Sequence, residues 1–163
     1  MLSTYRFLEK VIDEIGRMYQ DAGVELPAFH VGGDEVPEGI WEGSSVCRTF
    51  MKKHGLTKIR DLKDYFLGQI LEMLDKRNIQ AVGWQDIVMN PDNTVNEHFR
   101  NSKVLNYCWN TIPEQGGDEV PYKLANAGYP IILCNVGNFY LDMAYCYHCL
   151  LYTSPSPRDR SVS

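Results

Sequence analysis

Apolar side chains recur at helical spacing from the start of the chain. Leu8, Val11, Ile12, Ile15, Met18 and Tyr19 fall on one face of a helix predicted over residues 3–22. Ser3 or Thr4 can cap its start and Gly23 can end it. Leu26 to Val31 is a short continuous apolar run, the pattern of a buried strand. Residues 36–60 begin rich in Gly, Pro and Ser and turn helical around Val46 to Lys53. Between Asp61 and Lys76 a second long amphipathic helix carries Leu62, Tyr65, Phe66, Ile70, Leu71 and Leu74, with Asn78 placed to close it. Ile79 to Trp84 reads as a strand, and the stretch after Asn90-Pro91-Asp92 leaves little room for a covering helix. Lys103 to Trp109 is a third strand, Pro121 to Ala127 a short helix stopped by Gly128, and Pro130 to Val136 a fourth strand that runs into Asn138-Phe139-Tyr140-Leu141-Asp142.

Strands that alternate with helices or loop crossovers predict an α/β fold with a parallel sheet. A flavodoxin-like doubly wound sheet would alternate in the same way. Here, however, each strand runs out into acids or aromatics: Asp34-Glu35, then Trp84, then Trp109, then Tyr140 and Asp142. Convergence of such residues at every strand end favours the mouth of a (β/α)8 barrel, where the carboxyl ends of several strands share one site.

Composition narrows the field. The 163 residues suit one ordinary domain, and 44% hydrophobic residues suit a packed core rather than a disordered chain. A formal charge of -5 argues against nucleic acid or an anionic membrane as the main partner. No apolar run reaches the ~18–20 residues of a membrane span. Met1 leads directly into a charged helical pattern rather than a secretory leader.

The chemistry concentrates in His30-Val31-Gly32-Gly33-Asp34-Glu35. On a strand, His30, Gly32 and Asp34 share one face and Phe29 and Val31 the other. Glu35 stands beside Asp34 only if the pleat breaks, and the two preceding glycines permit such a bend. Two carboxylates would then crowd the carboxyl end of one strand. Trp41, in the next loop, is placed either to stack on a sugar face or to anchor the loop.

The hexapeptide resembles the active-site signature of glycoside hydrolase family 20, the β-N-acetylhexosaminidases, whose pattern is His-x-Gly-Gly-Asp-Glu. Trp84, Trp109, Tyr140 and Asp142 match, in order, the tryptophans and the Tyr-x-Asp that the family carries at its later strand ends. The resemblance implies a partial (β/α)8 TIM barrel over residues 1–148, roughly strands 4 to 7 of the family's barrel. It implies Glu35 as general acid/base, Asp34 as the residue that orients the substrate's 2-acetamido group, and Tyr140 as a hydrogen-bond partner of the acetamido oxygen. Asp142 would contact sugar hydroxyls, and Trp84 and Trp109 would wall the acetamido pocket. His30, Gly32 and Gly33 would support the site. The implied reaction removes terminal β-linked N-acetylhexosamine, GlcNAc or GalNAc, from glycans or chito-oligosaccharides. It proceeds with retention by a substrate-assisted route, without cofactor or metal. The family's sugar-gripping arginine and its eighth strand have no counterpart here, so the chain alone is expected to be inactive. The family also implies an exported protein, periplasmic, extracellular or lysosomal.

Residues 149–163, which begin Cys-Leu-Leu-Tyr-Thr-Ser-Pro-Ser-Pro-Arg-Asp, match no continuation of that family. They are similar, in one reading frame, to a translation of the transposase adapter used in sequencing libraries. They are expected to form a non-native, disordered tail. The spacing Cys146-x-x-Cys149 is then no metal or redox motif, and Cys47, Cys108, Cys134 and Cys146 show no ligand spacing. Cys108 and Cys134 fall in strands, as buried free thiols do. Two other classes stay open from the residues alone. One is a sugar-binding barrel without turnover. The other is a divalent-metal enzyme using Asp34, Glu35, Asp86 and His30.

Overall fold

The apolar stripes become helices laid on one face of a parallel sheet. The computed structural model describes residues 2–36, 39–100 and 102–140, so Asp142, Cys146 and the 149–163 tail lie outside the described residues. Helix α1 spans Leu2–Asp21, α2 Ser45–His54, α3 Ile59–Asp75, α4 Val120–Asn126 and α5 Val136–Phe139. Strands β1 (Ala28–His30), β2 (Gln80–Trp84), β3 (Leu105–Cys108) and β4 (Ile131–Leu133) pair in chain order, each parallel to its neighbour. A parallel sheet whose spatial order equals its sequence order is wound in one direction, as in a barrel. A doubly wound sheet reverses that order.

The terminators act as their side chains dictate. Gly23, Asn78 and Gly128 all take left-handed φ, at 74°, 55° and 87°. At each, the next amide closes back on the helix: Val24 on Tyr19, Ile79 on Leu74 and Tyr129 on Leu124, all at 3.0 Å. Ser44 caps α2 by accepting from the Cys47 amide. At the start of α3 the Asp61 carboxylate accepts from the amides of Thr57 and Lys58 at 2.9 and 2.8 Å.

One core cluster joins Leu67, Val88, Phe99, Val104, Cys108 and Leu124 between the sheet and helices α3 and α4. A second joins Ile12 of α1 to Ile70 and Leu74 of α3 over Phe29, Val31 and Ala81 of the sheet. Phe29 and Val31 therefore face the helices, while His30 lies on the opposite face with Trp84 and Tyr107. Between β2 and β3 there is no α-helix among the described residues, only 3-10 turns at Gln85–Ile87 and Glu97–Phe99 and a bridge between Met89 and Val95.

Strands β1 and β3 are shorter than expected at both ends, and β4 departs furthest. The fourth strand ends at Leu133 rather than Val136, and a helical turn, Val136–Phe139, precedes Tyr140. The amides of Cys134 and Val136 still bond to Cys108 and Trp109. Asn135, with φ -47° and ψ 117°, is where the chain leaves the strand and enters that helical turn.

Candidate active site

The pleat breaks where the glycines stand. Val31 and Trp84 amides still bond across to Val82 and Gly32, but Gly32 and Gly33 take φ of 72° and 101° and Glu35 takes 36°. A non-glycine residue at positive φ is uncommon and is held there by its surroundings. The turn leaves Asp34 and Glu35 as adjacent, exposed carboxyl groups just past the carboxyl end of β1.

Three neighbours fix this turn. His30 Nδ1 accepts the Gly32 amide at 3.1 Å, which requires that nitrogen to be unprotonated. Burial pushes the His30 imidazolium below the ordinary histidine range, against the opposing pull of Asp34. Ile87, fully buried, wedges between two glycines. A Cβ on Gly33 would stand 2.4 Å from its Cγ1, and one on Gly83 would stand 2.1 Å from its Cδ1. From α3, the Lys63 ammonium donates to the carbonyls of Gly33 and Asp86.

The end of β2 is tied down from two sides. Arg60 of α3 donates to the carbonyls of Asp86, Ile87 and Met89, and its Nε stands 3.0 Å from Asp64. Asp64 in turn accepts from Asn96. The Gln85 side chain accepts the Trp109 and Asn110 amides at 3.0 and 3.2 Å, and the Trp109 indole donates to Asp86 at 2.8 Å. The residues after β2 thereby fix the residues after β3.

Glu35, Trp41, Lys63, Asp86 and Trp109 line one cleft of about 470 Å³. Asp34, Trp84 and Tyr140 are not among its walls. Trp84 instead stands edge-on to His30 and Tyr107, with ring centroids 5.0 and 5.9 Å away, on the sheet face opposite the helices. Trp109 thus shares a cleft with Glu35, while Trp84 packs against His30 and Tyr107. Tyr140 is half-buried just after α5, and its amide bonds to the Val136 carbonyl. Among the described residues no group of three or more His, Cys, Asp and Glu side chains could hold a metal ion. Also among them, no helix is long and apolar enough to cross a membrane.

Sequence reasoning missed Lys63, Arg60, Gln85 and Tyr107. A signal for the first two was present. Arg60, Lys63, Asp64, Leu67, Ile70, Leu71 and Leu74 form one continuous stripe at helical spacing. Its first turns are charged because they run past the core and under the strand ends.

Comparison with known proteins agrees with this geometry. Residues 1–150 match the family model described as glycosyl hydrolase family 20, catalytic domain. A β-hexosaminidase of Vibrio vulnificus is 29% identical over 147 residues, covering 89% of this chain and 17% of that protein. A β-N-acetylhexosaminidase structure from Bacteroides fragilis superposes with a TM-score of 0.64 at 26% identity, covering 87% of this chain and 26% of that one. An exo-β-N-acetylglucosaminidase from Vibrio harveyi, solved with N-acetylglucosamine, gives 0.66 at 28% identity, covering 85% and 19%. The chain therefore spans about a quarter or less of the length of these relatives.

Proposed function

The chain belongs to glycosyl hydrolase family 20, and on that premise we propose that it supplies the acid pair of a retaining β-N-acetylhexosaminidase. The observation that carries the reading is the left-handed turn at Gly32–Glu35, which sets two carboxyl groups side by side past the end of β1. In a conventional retaining glycosidase the two carboxyl groups flank the bond, ~5–5.5 Å apart on opposite sides. Neighbours on one turn approach from one side, so the second role falls to the substrate.

In this scheme the 2-acetamido oxygen attacks the anomeric carbon and displaces the leaving group, giving a bicyclic oxazolinium. Glu35 protonates the departing oxygen, then takes a proton from the water that opens the ring. Asp34 accepts from the acetamido N–H and offsets the positive charge that develops there. Tyr140 donates to the acetamido oxygen, Trp84 and Trp109 close the sides of the pocket, and Asp142 receives sugar hydroxyls. A nucleophile held within the substrate gains an effective molarity on the order of 10⁵ M or more. Neutral His30, accepting from Gly32, keeps the turn in register for both acids. The substrates are glycans or chito-oligosaccharides ending in β-linked N-acetylhexosamine, and the remaining barrel strands complete the pocket.

Leaving-group dependence in the complete enzyme carrying these residues separates the two acids. Glu35→Gln should cost ~10²–10⁴-fold on alkyl glycosides, and the loss should shrink for aryl leaving groups that need no proton. The Asp34→Asn loss should persist whatever the leaving group. Equal leaving-group dependence for both variants would overturn the assignment.

A further inference from the structure

We propose that Lys63 is a positioning residue of the active site, holding the acid-bearing turn and the β2 end together from beneath. The inference rests on the hydrolase reading above and adds to it a residue from helix α3 rather than from a strand end. Lys63 lies on the buried stripe of α3, yet the end of its side chain meets backbone carbonyls. Its ammonium donates to the carbonyl of Gly33, the residue immediately before Asp34, and at 3.2 Å to the carbonyl of Asp86. Asp86 is the residue that receives the Trp109 indole. One cation thus spans the β1 and β2 loops and reaches the β3 loop through that acceptor.

The conformations involved need such a tie. Gly33 has φ 101° and Glu35 has φ 36°, so nothing in the local backbone preference holds the turn. A carbonyl fixed by a charge-assisted donor is held more firmly than one facing water. The charge acts as well as the hydrogen bonds. Lys63 faces Arg60 and Asp64 on its own helix, Asp86 on the β2 loop and Asp34 on the β1 turn, and it shares the cleft with Glu35. Burial and Arg60 push the ammonium down from the lysine range, while Asp86, Asp64 and Asp34 hold it up.

The test uses the complete enzyme with Lys63→Met, which removes donor and charge, and Lys63→Gln, which removes the charge and keeps a neutral donor on a side chain one bond shorter. Lys63→Met should lower kcat about 10- to 100-fold with KM little changed, the effect of a small misplacement at the reacting centre. Lys63→Gln should lose less in kcat. The carbonyl carbon-13 resonances of Gly33 and Asp86 should move in both variants, more in Lys63→Met, because each carbonyl loses its charged donor. That shift is read without turnover, and in Lys63→Gln alone if the Met variant does not fold. An unchanged kcat with unchanged Gly33 and Asp86 carbonyl resonances would overturn the proposal, even if the melting temperature fell. An inactive wild type with those carbonyl shifts intact would overturn the hydrolase reading and leave this one standing.

Discussion

Ile87 is the wedge on which the acid-bearing turn rests, and a pair of substitutions measures it. An alanine Cβ at Gly83 would stand 2.1 Å from Ile87 Cδ1, 3.3 Å from its Cγ1 and 3.0 Å from the Gly32 carbonyl oxygen. Ile87 is fully buried in the cluster beneath the sheet, so its δ-methyl has no free space to enter. Gly83→Ala should therefore cost ~1–3 kcal/mol, the usual range for overpacking a core. Ile87→Val alone should cost ~0.5–1.5 kcal/mol. Together they should not add: valine lacks the atom at 2.1 Å, and only the contacts at 3.3 and 3.0 Å stay tight. The double variant should be more stable than the sum of the singles by ~1–2 kcal/mol. Gly33→Ala supplies the control. Its Cβ meets Cγ1 at 2.4 Å, an atom valine keeps, and its φ of 101° opposes any side chain. Ile87→Val should leave that variant unrescued. Urea unfolding of the four corners of each cycle in the complete enzyme reads both couplings. Additivity at Gly83 within ~0.5 kcal/mol, or equal rescue at both glycines, would refute the wedge.

His30 should titrate below the ordinary histidine midpoint of ~6.5, as the Nε2–H tautomer, by proton and nitrogen NMR. Because its folded value is depressed, its contribution to stability is full above pH ~6.5 and declines as pH falls from there toward the folded midpoint. Burial pushes the Cys108 thiol up to about 12, so iodoacetamide at pH 8 should spare it in the folded protein and label it on unfolding, as read by mass spectrometry. Asp61→Ala should cost ~0.5–2 kcal/mol in urea unfolding, the range for losing a helix cap, because two amides and the Thr57 hydroxyl lose their acceptor.

The bend at Gly32-Gly33 was legible because only glycines at that point let Asp34 and Glu35 stand together. The closures at Gly23, Asn78 and Gly128 were legible for the same reason, since few residues take left-handed φ without strain. The lack of a helix between β2 and β3 followed from Asn90-Pro91-Asp92. What stayed hidden depends on contacts between distant segments. Pro130 to Val136 has a strand's composition, but the turn at Asn135 converts its end to a helix. Tyr107 reads as one more alternating strand residue until β3 sets it against His30 and Trp84. Lys63 and Arg60 read as ordinary helix charges until α3 is docked with its first turns beneath the strand ends. Trp41 could be read either way, and the structure places it on the wall of the cleft that holds Glu35.

In the proposed route the substrate's own acetamido oxygen is the nucleophile, and Asp34 and Glu35 serve it. The most direct measurement is kcat/KM of the complete enzyme on aryl glycosides whose 2-acetamido methyl carries zero, one, two or three fluorines. Each fluorine weakens the carbonyl oxygen as a nucleophile and barely changes its size. The rate should fall steeply and monotonically across the series. A flat series would contradict it and return the nucleophile to a protein carboxylate.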